Sequence, residues 1–134
     1  MIELVTRLLS RGEPTLSEAG SRDAAGFAKL HAASFRHGWS DAEFERLLIE
    51  RNVVAHRAMV GRTLAGFILS KIAADEAEIL SVAVASARRG RGLARALLDI
   101  NMRRLAGLGV RAMFLEVDED NVPARKLYAR AGFS

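Results

Sequence analysis

Cysteine is absent from this 134-residue chain. That excludes a disulfide framework, a thiolate metal site and a thiol nucleophile. Aromatic residues are few: one Trp, one Tyr and six Phe do not make a stacking platform for nucleic-acid bases. No run approaches the ~18 apolar residues of a membrane span. The start, Met1-Ile2-Glu3-Leu4 followed by Arg7 and Arg11, lacks the pattern of a secretory leader. Internal repeats and low-complexity linkers are missing too. His31, His37 and His56 do not stand at metal-ligand spacing, and Ser81 and Ser86 have no evident His–Asp partnership. Neither a metal centre nor a serine triad is expected.

What is present is a chain half hydrophobic and 27% charged, long enough for one domain, residues 1–134, around a single core. Its net charge of +4 and pI near 10.3 suit a polyanionic partner. Arg88, Arg89, Arg91 and Arg95 cluster while the other arginines are scattered, which favours a phosphorylated cofactor over nucleic acid. No membrane and no direct nucleic-acid partner are expected, and a cytoplasmic enzyme fits.

Periodicity and turn chemistry give the order of elements. Residues 1–12 read as an amphipathic lead-in and Pro14–Ala19 as a first strand. Ser21 suits the N-cap of a helix from Arg22 to Phe35. Ser40-Asp41-Ala42-Glu43 is a capping box, so a second helix should run to Glu50. Strands are expected at Val53–Val60, Leu64–Ile72 and Ala77–Val84, with a tight turn at Gly61-Arg62. A helix from Gly92 to Leu108 carries Leu93, Leu97, Leu98, Met102 and Leu105 at helical spacing. A strand over Val110–Val117 and a helix capped by Asn121 complete the chain. The fold class is mixed α/β (α+β).

The most informative stretch is Glu78–Leu98. A strand-like run breaks into Arg88-Arg89-Gly90-Arg91-Gly92 and restarts as a helix at Leu93. Glycines let a ligand approach the backbone, and the first N–H groups of a helix are free donors at its positive end. Such a turn fits a diphosphate. It is not a dinucleotide fingerprint, because Arg95 stands where the third glycine would be, and the Gly-Lys-Ser/Thr of a P-loop is absent.

The strand–RGRGLA–helix unit, then Leu115-Glu116-Val117, Asn121, Leu127-Tyr128 and Ala131-Gly132-Phe133, resembles the GNAT superfamily of acetyl-CoA-dependent N-acetyltransferases. Within it the pattern is most similar to the bacterial ribosomal-protein-alanine N-acetyltransferases (RimI type), and Trp39-Ser40 fits that branch. The resemblance spans Pro14 to Phe133. It implies a mostly antiparallel mixed sheet flanked by helices. Family members continue past Gly-Phe into two further strands, so a chain ending at Ser134 implies that fold without its final strands.

The resemblance further implies acetyl-CoA as cosubstrate and no metal. The pyrophosphate would lie on Arg89, Gly90, Arg91, Gly92, Leu93, Ala94 and Arg95. The pantetheine arm would lie along Val82, Ala83 and Val84, with Asn121 touching it, although Asn121 serves equally as a helix cap. Glu116 is the implied general base, expected on the Val110–Val117 strand to be partly buried on the same face as Phe114, with Glu78 its rival, and Tyr128 the implied general acid, although a core tyrosine is equally ordinary. The implied acceptor is a protein N-terminus, the alanine of a small-subunit ribosomal protein. A small amine or lysine acceptor, or a non-catalytic acyl-CoA-binding module, remain alternatives.

Overall fold

The computed structural model describes residues 13–134, so the amphipathic lead-in lies outside the described residues. Five strands form one sheet in chain order: β1 (Thr15–Glu18), β2 (Val53–Val60), β3 (Thr63–Ala73), β4 (Glu76–Val84) and β5 (Ala112–Phe114). The first four are antiparallel and β5 runs parallel to β4. Four helices accompany them: α1 (Ala24–Ser34), α2 (Asp41–Leu48), α3 (Leu93–Gly107) and α4 (Val122–Arg130). The expected mixed, mostly antiparallel sheet is thus found. Among the described residues no helix is long and apolar enough to cross a membrane.

Local chemistry explains most boundaries. Ser40 Oγ accepts from the Glu43 N–H at 3.2 Å and the Glu43 carboxylate accepts from the Ser40 N–H, so the expected capping box opens α2. Gly61, at φ +59°, makes the tight β2–β3 turn. Ser21 is not the cap of α1. A 3-10 turn over Ser21–Asp23 precedes that helix, and the Asp23 carboxylate accepts from the Gly20 N–H while pairing with Arg57 at 2.6 Å. The strand expected at Val110–Val117 is reduced to Ala112–Phe114. Only these residues have ladder partners on β4; from Leu115 onward the chain leaves the sheet.

Apolar side chains fill both faces of the sheet. On one, Phe27 of α1 stacks on Phe67 of β3 with ring centroids 4.3 Å apart, and Phe44 of α2 meets both rings edge-on. On the other, Leu93, Leu97 and Leu98 of α3 pack on Ile68 and Ile79, with Tyr128 and Phe133 at the margin. Under α3 lies a polar knot. Ser70 Oγ donates to Asn101 Oδ1, and Asn101 Nδ2 reaches both the Val54 carbonyl and His56 Nδ1. All three side chains are buried, and each bond satisfies a group whose desolvation alone would cost about 1–3 kcal/mol.

Gly66 leaves no room for a side chain between β4 and α3. A Cβ there would stand 2.9 Å from the Ala83 carbonyl oxygen and 3.0 Å from Leu97 Cδ1. Gly66→Ala should therefore cost about 1–3 kcal/mol through overpacking. Urea unfolding checks this, and an unchanged midpoint would contradict it. Burial also pushes the His56 imidazole below its ordinary value, more than nearby Glu18 raises it, and burial does the same to His31 in α1. The unfolded chain therefore binds more protons. This contribution to stability is complete above the unfolded value of about 6.5 and is lost as pH falls through the folded values. Tm should fall between about pH 7.5 and about pH 5.5; a flat or rising Tm over that window would contradict the assignment.

Candidate functional site

Strands β4 and β5 run together from Glu76 to Glu78 and then part. β4 continues to Val84 with β3 on one side and, among the described residues, no strand on the other. The Ala85 N–H donates to the Ala65 carbonyl, so alternation along an antiparallel ladder turns the backbone groups of Val84 and Val82 toward the open edge. The Val84 carbonyl lies there, since it accepts from Arg89 Nε at 3.1 Å. The open edge thus presents N–H and C=O groups of the kind an amide-rich chain pairs with.

A bulge re-aims the side chains beside this opening. Ile79 pairs with Ser70 and Ser81 with Leu69, so Leu80 is one residue extra. Ile79, Val82 and Val84 pack on the α3 side of the sheet, whereas Leu80 and Ala83 pack on the side of α1 and α2. Ser81, adjacent to Val82, joins Leu80 on that second side.

The glycine turn follows at the end of β4. Ser86–Arg88 form a 3-10 turn, then Gly90 and Gly92 take φ of +76° and +80°. Those values favour glycine, and an added Cβ at either would meet open space, so the strain is conformational rather than steric. Among the described residues no side chain caps α3, which leaves the N–H groups of Leu93, Ala94 and Arg95 at its start without a capping acceptor there. Within the cluster, Arg89 is engaged on the Val84 carbonyl and Arg95 with Asp99 at 2.9 Å. The turn's capacity for an anion therefore rests first on backbone amides and the helix dipole.

Between the diverging strands lies a cleft of about 500 Å³. It brings Ile79–Val82 of β4, the Leu115–Asp118 segment and Asn121, Ala124 and Tyr128 of the last helical region against His31, Phe35 and Trp39. Glu116 lines it and Glu78 does not, which separates the two rival carboxylates by position. The partial burial expected for Glu116 beside Phe114 is not found. Both are exposed, because β5 ends at Phe114 and pairs with β4 alone. Asn121 caps α4 by accepting from the Ala124 N–H at 3.2 Å and also lines the cleft, so its two expected roles are compatible. The Tyr128 ring packs edge-on against Phe133, and burial raises its hydroxyl above the ordinary value, keeping it protonated.

His31 and Ser81, set aside in the sequence for want of metal-ligand spacing and of a His–Asp partnership, both line the cleft. His31 is buried, stacked on Trp39 at 4.7 Å, and its Nδ1 accepts from the Trp39 backbone N–H at 3.1 Å. Ser81 Oγ is buried without a hydrogen-bond partner. Among the described residues no three His, Asp or Glu side chains are grouped to hold a metal ion.

Comparison with known proteins agrees with this geometry. The model of the acetyltransferase (GNAT) family matches residues 24–133, and the chain belongs to that family. It is 28% identical over 120 residues to the [ribosomal protein bS18]-alanine N-acetyltransferase of Escherichia coli K12, covering 90% of this chain and 80% of that one. It is 41% identical over 76 residues to a mycothiol acetyltransferase of Streptomyces bingchenggensis. There the match covers 55% of this chain and spans only 25% of the relative. A crystal structure of the E. coli ribosomal-protein-S18-alanine N-acetyltransferase superposes with a TM-score of 0.84 at 26% identity, covering 90% of this chain and 77% of the other.

Proposed function

We propose that this GNAT acetyltransferase moves an acetyl group from acetyl-CoA to the α-amine of a protein N-terminus, the alanine of a small-subunit ribosomal protein being the acceptor. The observation that carries the reading is the parting of β4 and β5. It leaves an unpaired strand edge leading from an amide-lined glycine turn to a cleft holding Glu116 and Tyr128. Similarity to the bS18-alanine enzyme over nine-tenths of the chain favours that acceptor over a small amine or a lysine.

Acetyl-CoA, when bound, supplies the activated acyl group; the residues of this chain supply its surroundings. The amides of Gly90–Arg95 hold the diphosphate, with Arg91 beside them. The open edge at Val82, Ala83 and Val84 pairs with the pantetheine arm, and Asn121 borders it. An α-amine has a pKa of about 8, so part of it is neutral near pH 7 and modest base assistance suffices. Glu116, being exposed, takes the proton through a water. The neutral amine adds to the thioester carbonyl while the Val82 N–H donates to the developing oxyanion, and the nitrogen, charged by the new C–N bond, sheds its proton to the same water as the intermediate collapses. As the C–S bond breaks, the Tyr128 hydroxyl donates to the departing thiolate. Its raised pKa makes it a weak acid and a reliable hydrogen-bond donor at working pH. A cytoplasmic location accompanies this reading.

Glu116→Gln and Tyr128→Phe should each lower kcat about 10²- to 10⁴-fold while leaving CoA affinity within a factor of about two. Steady-state kinetics beside calorimetric CoA titration separate the two effects. Unchanged kcat in either variant would remove that residue from the mechanism. A non-catalytic acyl-CoA binder would show CoA binding with no turnover in any form of the protein.

A further inference from the structure

His31 and Ser81 sit on different elements, and neither is used in the chemistry above. Both line the cleft, and both are on the side of the sheet that carries α1 and α2. The Trp39 N–H donates to His31 Nδ1, so in the neutral ring the proton is on Nε2, which is left as a donor. Burial lowers the imidazole's affinity for a second proton and holds it in that form. No partner within the described residues takes the Nε2–H. Ser81 is buried, only 7% exposed, and its Oγ is the one buried side-chain oxygen or nitrogen among the described residues without a hydrogen bond. Buried polar groups are nearly always satisfied, and exceptions point to a ligand or water. The walls around the pair are apolar and aromatic: Phe35, Trp39, Ile79, Leu115 and Val117.

We propose that His31 Nε2–H and the Ser81 hydroxyl form a carbonyl-binding pair that takes the first peptide C=O of the acceptor. This rests on the reading under Proposed function and adds what selects the acceptor. Nε2–H can only donate, so its ligand must be an acceptor atom. In a peptide the carbonyl carbon is attached to the same Cα as the attacking amine. Ser81 adjoins Val82, whose backbone N–H faces the reacting carbonyl, so a carbonyl held at Ser81 sets the amine beside the thioester. A lysine side chain or a polyamine carries only methylenes at that position. It would leave both donors unpaired in an apolar pocket, the arrangement by which a site built for hydrogen bonding rejects an analogue that lacks the group. The pair therefore selects an N-terminal amide-bearing amine over an alkyl amine.

The test uses two coenzyme A conjugates joined through an S-acetyl linker, one to alaninamide and one to 3-methylbutan-2-amine, which keeps its branching and heavy-atom count but lacks the carbonyl. Calorimetry with the intact chain should give about tenfold tighter binding of the alaninamide conjugate. In Ser81→Ala and His31→Asn that preference should shrink, and in the double variant it should approach one. Asn is chosen because its Oδ1 replaces Nδ1 as acceptor for the Trp39 N–H while nothing reaches as far as Nε2. Affinity for CoA itself should not change, and Ser81→Ala should not lower Tm, because it removes an unsatisfied hydroxyl. Equal binding of the two conjugates by the unaltered protein, or a preference that survives in the double variant, would overturn the proposal. So would a matching loss of CoA affinity in Ser81→Ala, which would assign the hydroxyl to the cofactor. Failure of the unaltered protein to bind CoA would instead overturn the reading under Proposed function, and this one with it.

Discussion

The separation of β4 from β5 after the Glu78–Phe114 pair is the constraint on which the rest depends. A parallel pair that stayed together would consume in a ladder the backbone groups that Val82 and Val84 turn away from β3. Parted, the same residues offer donors and acceptors to a ligand, at the cost of two strand edges that lack ladder partners. The bulge at Leu80 belongs to the same device, since it turns Ser81 toward α1 while leaving Val82 and Val84 against α3. The glycines at 90 and 92 then turn the chain so that α3 starts at the end of the open edge.

An opening of this kind needs rigid surroundings. On one side the stacked Phe27–Phe67 pair and Phe44 hold α1 and α2 to the sheet, which fixes His31 and Trp39 at the mouth of the cleft. On the other, leucines of α3 and the Ser70–Asn101–His56 knot lock the helix in one register, since a half-satisfied network would be costlier than an apolar core. Tyr128 bridges the two: its ring belongs to the α3-side packing and its residue lines the cleft.

Much of this was legible in the chain because local chemistry governs it. The capping box at Ser40, the Gly61 turn, the Asn121 cap and the strand–glycine–helix unit all depend on residues a few positions apart. Ser21 misled because Asp23, tied to Arg57 on β2, sets that turn instead. The strand at Val110–Val117 was overextended because its apolar pattern continues after its partner strand has gone. The expected enclosure of Glu116 failed for the same reason. His31 and Ser81 were invisible because what distinguishes them, a fixed tautomer and an unsatisfied hydroxyl, arises only when α1 and the bulge of β4 meet across one cleft.

The most direct test of the central claim is thiol release from acetyl-CoA by the chain, with an alanine-starting ribosomal peptide as acceptor and the same peptide blocked at its N-terminus as control. Release with the free peptide and none with the blocked one is the predicted result. Equal release with both, or none with either while an alkyl amine is acetylated, would contradict transfer to a protein N-terminus.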